Sequence, residues 1–290
     1  MRSHLRAAVR LSLYAAWTMM LLPAQMVAVG LRLRAASSLP RFYHRGVCRI
    51  IGIELKVRGE QAPGKPMLFV ANHASYLDIT VLGALIRGSF VAKAEIADWP
   101  FFGLLAKLQR TVFIERRSAH AAKQRDEIAR RLDAGDDLIL FPEGTSSDGN
   151  RILPFKSALF SVAEREVDGR PLTVQPVSVA YLKLDGLPIG REWRPNIAWY
   201  GNMNMLGHAW NVFALGKLTV EIGFQPPLDM AALALPALDE ALPAAGEPDA
   251  PEAVPAVLTG GARRKALAER SQAAVEAGFA ESLFASGRRR

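Results

Sequence analysis

Short apolar runs recur through the middle of the chain. Met67 to Ala71, Phe90 to Lys93, Thr111 to Ile114 and Leu138 to Phe141 are too short for helices. They lack the apolar–polar alternation of half-exposed strands, so they read as strands buried on both faces. Ile53 to Val57 does alternate. Thr173 to Ala180, Ile197 to Tyr200 and Leu218 to Phe224 predict further strands. Helical patterns fall between the runs, over Tyr76 to Ile86, Phe101 to Leu108, Ser118 to Ala134 and Ser157 to Val167. Ser118 suits an N-cap and Gly135 the C′ position of the clearest of these helices. Strands alternating with helices predict an α/β domain over residues 51–228, with a mixed, largely parallel sheet flanked by helices.

The two ends have a different character. Leu11 to Leu31 is an uncharged stretch bracketed by arginines: Arg2, Arg6 and Arg10 before it, Arg32 and Arg34 after it. It is long enough to cross a hydrocarbon core and too long for a signal-peptide apolar region. Ser12, Thr18, Pro23 and Gln25 dilute it, and Pro23 favours a kink. Spanning, dipping and lying in the interface all fit, as does a buried helix of a soluble fold. The expectation is a membrane-associated helical segment over residues 1–50, with the remaining chain on the cytoplasmic side of the inner membrane. From Asp229, Ala, Pro, Glu and Asp dominate as in a linker. Arg263 to Arg290 then has helical character and reads as a basic tail, either on an anionic surface or solvated.

Charge and cysteine content exclude several classes. Lys and Arg outnumber Asp and Glu by 36 to 28. That balance suits an anionic membrane surface, and no nucleic-acid motif accompanies it. The single cysteine, Cys48, excludes an internal disulfide framework and a Cys-based zinc site. It has no evident base beside it, so a covalent thiol intermediate is not indicated. No metal site, nucleotide-binding loop or serine-hydrolase elbow is present in the sequence.

Three segments can carry chemistry. Asn72-His73-Ala74-Ser75-Tyr76-Leu77-Asp78 lies where a strand ends and a helix begins, with Ser75 as a natural N-cap. Active sites of α/β sheets gather at such carboxyl ends. An imidazole oriented by a carboxylate there makes a general base for a hydroxyl proton. Phe141-Pro142-Glu143-Gly144-Thr145 follows another strand, with a carboxylate at its mouth and a glycine that permits close approach. Phe113-Ile114-Glu115-Arg116 delivers a guanidinium to a third strand end, and Lys93 closes a fourth. Taken singly, each has a plain structural alternative: a loop histidine, a Gly/Ser turn, a solvated charge cluster.

Taken in order, these segments resemble the glycerolipid (lysophospholipid) acyltransferase superfamily. Its Asn-His-x4-Asp motif matches Asn72, His73 and Asp78; its Phe-Ile-x-Arg matches Phe113 to Arg116. Its Phe-Pro-Glu-Gly-Thr matches Phe141 to Thr145, and its apolar strand with proline matches Val174 to Val177. The resemblance implies acyl transfer from acyl-carrier protein or acyl-CoA to a lysolipid hydroxyl at a membrane bilayer. No cofactor, metal or covalent intermediate is implied. His73 and Asp78 are then catalytic, and Arg116, Glu143, Gly144 and Thr145 bind substrate; Lys93, read from its own strand end, is expected to add charge for substrate binding at the same mouth. Backbone N–H groups at a strand-to-helix turn are expected to hold the oxyanion. Many members that use lysophosphatidate carry Arg after Phe-Pro-Glu-Gly-Thr; here Ser146 stands there. The run to Leu153-Pro154-Phe155-Lys156 is similar to lyso-ornithine lipid acyltransferases. Acylation of 1-acylglycerol-3-phosphate, or of both acceptors, stays open. A non-catalytic membrane adaptor and a soluble thioester hydrolase are the other readings.

Overall fold

The computed structural model describes residues 3–64, 66–114, 127–128, 130–164, 166–167, 170–228 and 260–288. Two helices open the chain, α1 (His4–Gly30) and α2 (Ala35–Ile51). Strands β1 (Ile53–Arg58) and β2 (Met67–Ala71) follow, then α3 (Leu77–Leu85), β3 (Gly88–Lys93) and α4 (Phe102–Leu108). Next come β4 (Val112–Ile114), β5 (Asp137–Leu140), the long β6 (Thr173–Leu184), α5 (Met205–Ala214) and β7 (Leu218–Phe224). Helix α6 (Gly260–Arg288) ends the described chain.

These strands build an eight-stranded sheet in the order β1-β7-β6-β2-β5-β3-β4, with the short Leu187–Pro188 strand added to the end of β6, and Glu166–Val167 pairs with Arg170–Pro171 in a separate two-stranded sheet. β7 runs antiparallel to β6, and the other neighbours in that order are parallel. This is the mixed, largely parallel sheet that the apolar runs predict. β2 and β5 are buried at every position because both faces are covered. Met67, Phe69 and Ala71 point into one core beneath α2, α3 and α5. Leu68 and Val70, of opposite pleat, join Leu138, Leu140, Phe160, Leu267 and Val275 on the other face. The carboxyl ends of β2, β5 and β3 are neighbours, so residues far apart in sequence meet at one edge.

Some expected elements differ. Ile197 to Tyr200 is not a strand. It follows the 3-10 turn Arg194–Asn196, and the Trp199 N–H donates to Ala74 O at 2.8 Å. Its apolar character serves burial of Ile197 and Ala198 rather than strand pairing. Ser157 to Val167 is a 3-10 helix only over Ser157–Glu164, and Glu166–Val167 is a short strand. Ser75 does not cap α3. Its hydroxyl is buried without a partner, and Asp78 in the first turn accepts the free N–H groups of Ala74 and Ser75. Of the helix expected from Ser118, only part of its last turns lies within the described residues. The segment expected to be a linker lies outside the described residues from 229 to 259.

The two ends are integral to the fold. α6 is not a surface tail: Leu267 and Val275 are fully buried against the sheet. Its Gln272 Oε1 accepts the Phe155 N–H at 2.9 Å, and Arg58 donates to Gly278 O at 2.8 Å. α1 has the length and apolar composition to cross a membrane. It is nevertheless bonded to the domain along its length. Arg10 donates to Leu215 O at 2.7 Å, Trp17 Nε1 to Tyr43 O at 3.1 Å, and Gln25 Nε2 to Leu108 O at 2.7 Å. The opposite face leaves Leu5, Met19, Met20 and Leu31 exposed.

Candidate active site

The loop after β2 is built around one buried carboxylate. Asp78 is fully buried. Its Oδ2 accepts from His73 Nδ1 at 2.8 Å, Ala74 N–H at 2.7 Å and Ser75 N–H at 2.8 Å. Its Oδ1 accepts from the Tyr181 hydroxyl at 2.6 Å. Four donors converge on it, so the group is an acceptor throughout and His73 Nδ1 carries a proton. The lone pair then lies on Nε2, which has no partner among the described residues. The His73 ring stacks on Phe141 with centroids 4.2 Å apart. Its side chain is one-fifth exposed, enough to meet a bound hydroxyl. Burial, together with the Asp78 charge, pushes the Tyr181 phenol far up, so it stays a donor.

The neighbouring strand end locks this loop from behind. Glu143 Oε1 accepts the His73 N–H at 2.7 Å, and Oε2 accepts the Leu153 N–H at 2.9 Å. Burial pushes its carboxyl up to about 8, against the pull of those two N–H donors. The Ser147 N–H donates to His73 O at 2.9 Å, and the Ser146 hydroxyl to Trp199 O. Asn72 bridges β2 to β6: its Nδ2 donates to Val179 O at 3.0 Å, and its Oδ1 accepts Val179 N–H at 2.8 Å. The side chain thereby extends the ladder by one rung where β2 turns away.

The expected site residues divide accordingly. His73, Asp78, Glu143, Gly144 and Thr145 meet at one sheet edge. Glu143 faces inward, with both oxygens on backbone N–H groups, rather than outward. Gly144 has φ +67°, a conformation that favours glycine. Lys93 ends β3 opposite Ile114 in the parallel register, half-buried. Arg116 lies outside the described residues. In the turn before α3 the N–H groups of His73, Ala74 and Ser75 are taken by carboxyl oxygens, so these three are not the expected oxyanion donors. Cys48 is buried, and its thiol is pushed up to about 12 by burial. Sequence reasoning missed Tyr181. It sits 103 residues from Asp78 within an apolar strand, and no local spacing marks it. Phe141, which stacks on His73, was visible only as a motif letter.

The arrangement can take a proton from a hydroxyl through Nε2 and stabilise the resulting imidazolium through Asp78. Among the described residues no group of three His, Cys, Asp or Glu side chains is placed to share a metal ion. Residues 54–180 match the family model described as Acyltransferase. The chain is 43% identical over 217 residues to a lyso-ornithine lipid O-acyltransferase of Brucella abortus, covering 73% of this chain and 81% of that protein. A lyso-ornithine lipid O-acyltransferase of Rhizobium meliloti is 40% identical over 73% of this chain and 74% of its own length. A 1-acyl-sn-glycerol-3-phosphate acyltransferase of Neisseria meningitidis is 35% identical over 62% of this chain and 68% of its own length.

Proposed function

The chain belongs to the acyltransferase family and is an O-acyltransferase; we propose that its acceptor is lyso-ornithine lipid and its product ornithine lipid. The observation that carries the catalytic part is the His73 Nδ1–Asp78 contact at 2.8 Å, which leaves Nε2 free at the mouth. In this reading Nε2 removes the proton of the acceptor hydroxyl as its oxygen attacks the thioester carbonyl. The tetrahedral intermediate collapses with loss of the carrier thiolate, which the imidazolium protonates. Asp78 stabilises that imidazolium, and Glu143 fixes the backbone beneath it. The N–H groups of Thr145 and Ser146, uncommitted among the described residues, supply the oxyanion donors. The acyl donor is an acyl-carrier protein or acyl-CoA thioester.

A lysolipid acceptor calls for access from a bilayer. We place α1 in the interface of the inner membrane, with the site on the cytoplasmic side. Its bonds to α2, α4 and α5 hold it against the domain instead of letting it leave as a free span. Its outer face is apolar, and Arg6, Arg10 and Arg49 line an open groove of about 600 Å³ beside Leu5, Val9 and Leu13. Exposed Trp210 lies against His4 of α1, and exposed Trp99 meets Trp199 edge-on with centroids 6.1 Å apart. Such a surface fits headgroup-level insertion.

One specific observation favours the 1-acylglycerol-3-phosphate reading, the 35% identity to the Neisseria enzyme. Purified protein in detergent, given labelled acyl-carrier-protein thioester, decides between them. Label in ornithine lipid, absent with His73→Ala, is the expected result. Label in phosphatidic acid alone refutes the proposed acceptor. Release of free fatty acid alone refutes acyl transfer to either lipid.

A further inference from the structure

The turn after β5 holds a cation that the four motifs do not include. Ser146 brings no charge to the mouth, and its hydroxyl is spent on Trp199 O. The Lys156 N–H donates to Pro142 O at 3.0 Å, which ties its backbone to that turn. Its side chain then lies across Gly144. A Cβ on Gly144 would stand 2.9 Å from Lys156 Nζ and 3.5 Å from its Cδ. The bare glycine is therefore what lets this stem cross the turn. Phe141, at the start of the same turn, carries the His73 ring.

Among the described residues the ammonium has no hydrogen-bond or ion-pair partner. Lys156 is exposed and forms no ion pair among the described residues. Glu143, next to Gly144, offers it no partner, because both carboxyl oxygens face backbone N–H groups and burial favours the neutral form. A lysine without a counter-charge among the described residues, held over the loop that orders the general base, is a site for an anionic group. An ammonium accepts carboxylate or phosphate without demanding planar, two-point geometry.

We propose that Lys156 is the anion-binding cation of the acceptor site, pairing with the acid group of the lysolipid head. This rests on the acceptor reading above, in which that group is the carboxylate of the ornithine moiety. The 1-acylglycerol-3-phosphate alternative would present a phosphate to the same ammonium.

The test compares wild type, Lys156→Met and Lys156→Arg on lyso-ornithine lipid and on its carboxyl methyl ester. Full-length protein in detergent is used, with one labelled acyl thioester. Lys156→Met should raise KM for the free acid about tenfold, one charge-assisted contact's worth. KM for the thioester and the melting temperature should stay near wild type, because the side chain is exposed. Lys156→Arg should recover most of the affinity. The methyl ester should cost wild type as much as the substitution does, and Lys156→Met should not distinguish acid from ester. Unchanged KM in Lys156→Met, or an equal rise for acid and ester, overturns the proposal. Wild type that acylates only 1-acylglycerol-3-phosphate defeats the acceptor reading separately. In that case the same variants are compared on the phosphate acceptor, where unchanged KM in Lys156→Met overturns the role of Lys156.

Discussion

Asp78→Asn separates what the carboxylate does by charge from what it does by geometry. The amide oxygen has one acceptable place, where Oδ2 now receives His73 Nδ1 and the N–H groups of Ala74 and Ser75. Turning the amide over would set an NH2 group against two backbone N–H donors, at about 1–3 kcal/mol for each group left unsatisfied. The Asn Nδ2 therefore faces Tyr181, whose hydroxyl can rotate from donor to acceptor. The tautomer of His73 is kept, and only the charge is lost. At about 4 Å between charge centres and an effective dielectric near 20, that charge contributes about 4 kcal/mol to an imidazolium. The corresponding fall in kcat is about 10³-fold, with a melting temperature near wild type. Asp78→Ala, in contrast, strands the N–H groups of Ala74 and Ser75 and the Tyr181 hydroxyl, and should destabilise the fold by about 3 kcal/mol or more. Single-turnover acyl transfer and thermal unfolding of the two variants measure both effects. A kcat in Asp78→Asn within about fivefold of wild type would refute the charge role. A melting temperature as low as that of Asp78→Ala would refute the fixed amide orientation.

Other consequences follow from the brace and its supports. The Glu143 carboxyl rises from 4.5 unfolded to about 8 folded, so the folded state binds its proton more tightly. That stabilisation is complete below pH 4.5 and is lost as pH rises through about 8. Glu143→Gln should flatten this slope in unfolding titrations from pH 5 to 9, and the single amide oxygen leaves one of two buried N–H groups unpaired at about 1–3 kcal/mol. An unchanged slope would remove Glu143 as its source. Tyr181→Phe removes one of the four donors to Asp78 and should cost about 1–2 kcal/mol of stability and several-fold in kcat; denaturant titration and steady-state rates check both. Gln272→Ala frees Phe155 N–H and, through Leu153 and Glu143, loosens the His73 backbone. A fall in kcat of about fivefold with KM for thioester unchanged is expected, and equal activity at equal stability would show that α6 does not support the site. Replacing Met19 and Met20 by Glu should release the protein from anionic vesicles in a flotation assay while leaving detergent activity intact.

How much of this was legible beforehand follows from the range of the forces involved. Apolar runs such as Met67 to Ala71 and Leu138 to Phe141 determined strands buried on both faces, because only sheets covered twice tolerate them. The spacing from His73 to Asp78 determined a local pair, since five residues across a strand-to-helix turn bring both side chains to one point. Ile197 to Tyr200 has the composition of a strand, and tertiary burial gave it another use. Composition likewise concealed α6: Arg270 is exposed while Leu267 and Val275 fill the sheet's second face. Glu143 looked like a head-group ligand by its place at a strand mouth, and the fold turned it inward onto the His73 and Leu153 N–H groups. Tyr181, Gln272 and Lys156 reach the site only because β6, α6 and the 150–156 loop are brought to the same sheet edge. Local pattern decides which segments become strands and helices. Which distant side chain completes a buried carboxylate depends on packing, because the cost of an unpaired polar group is set by its surroundings in the folded chain.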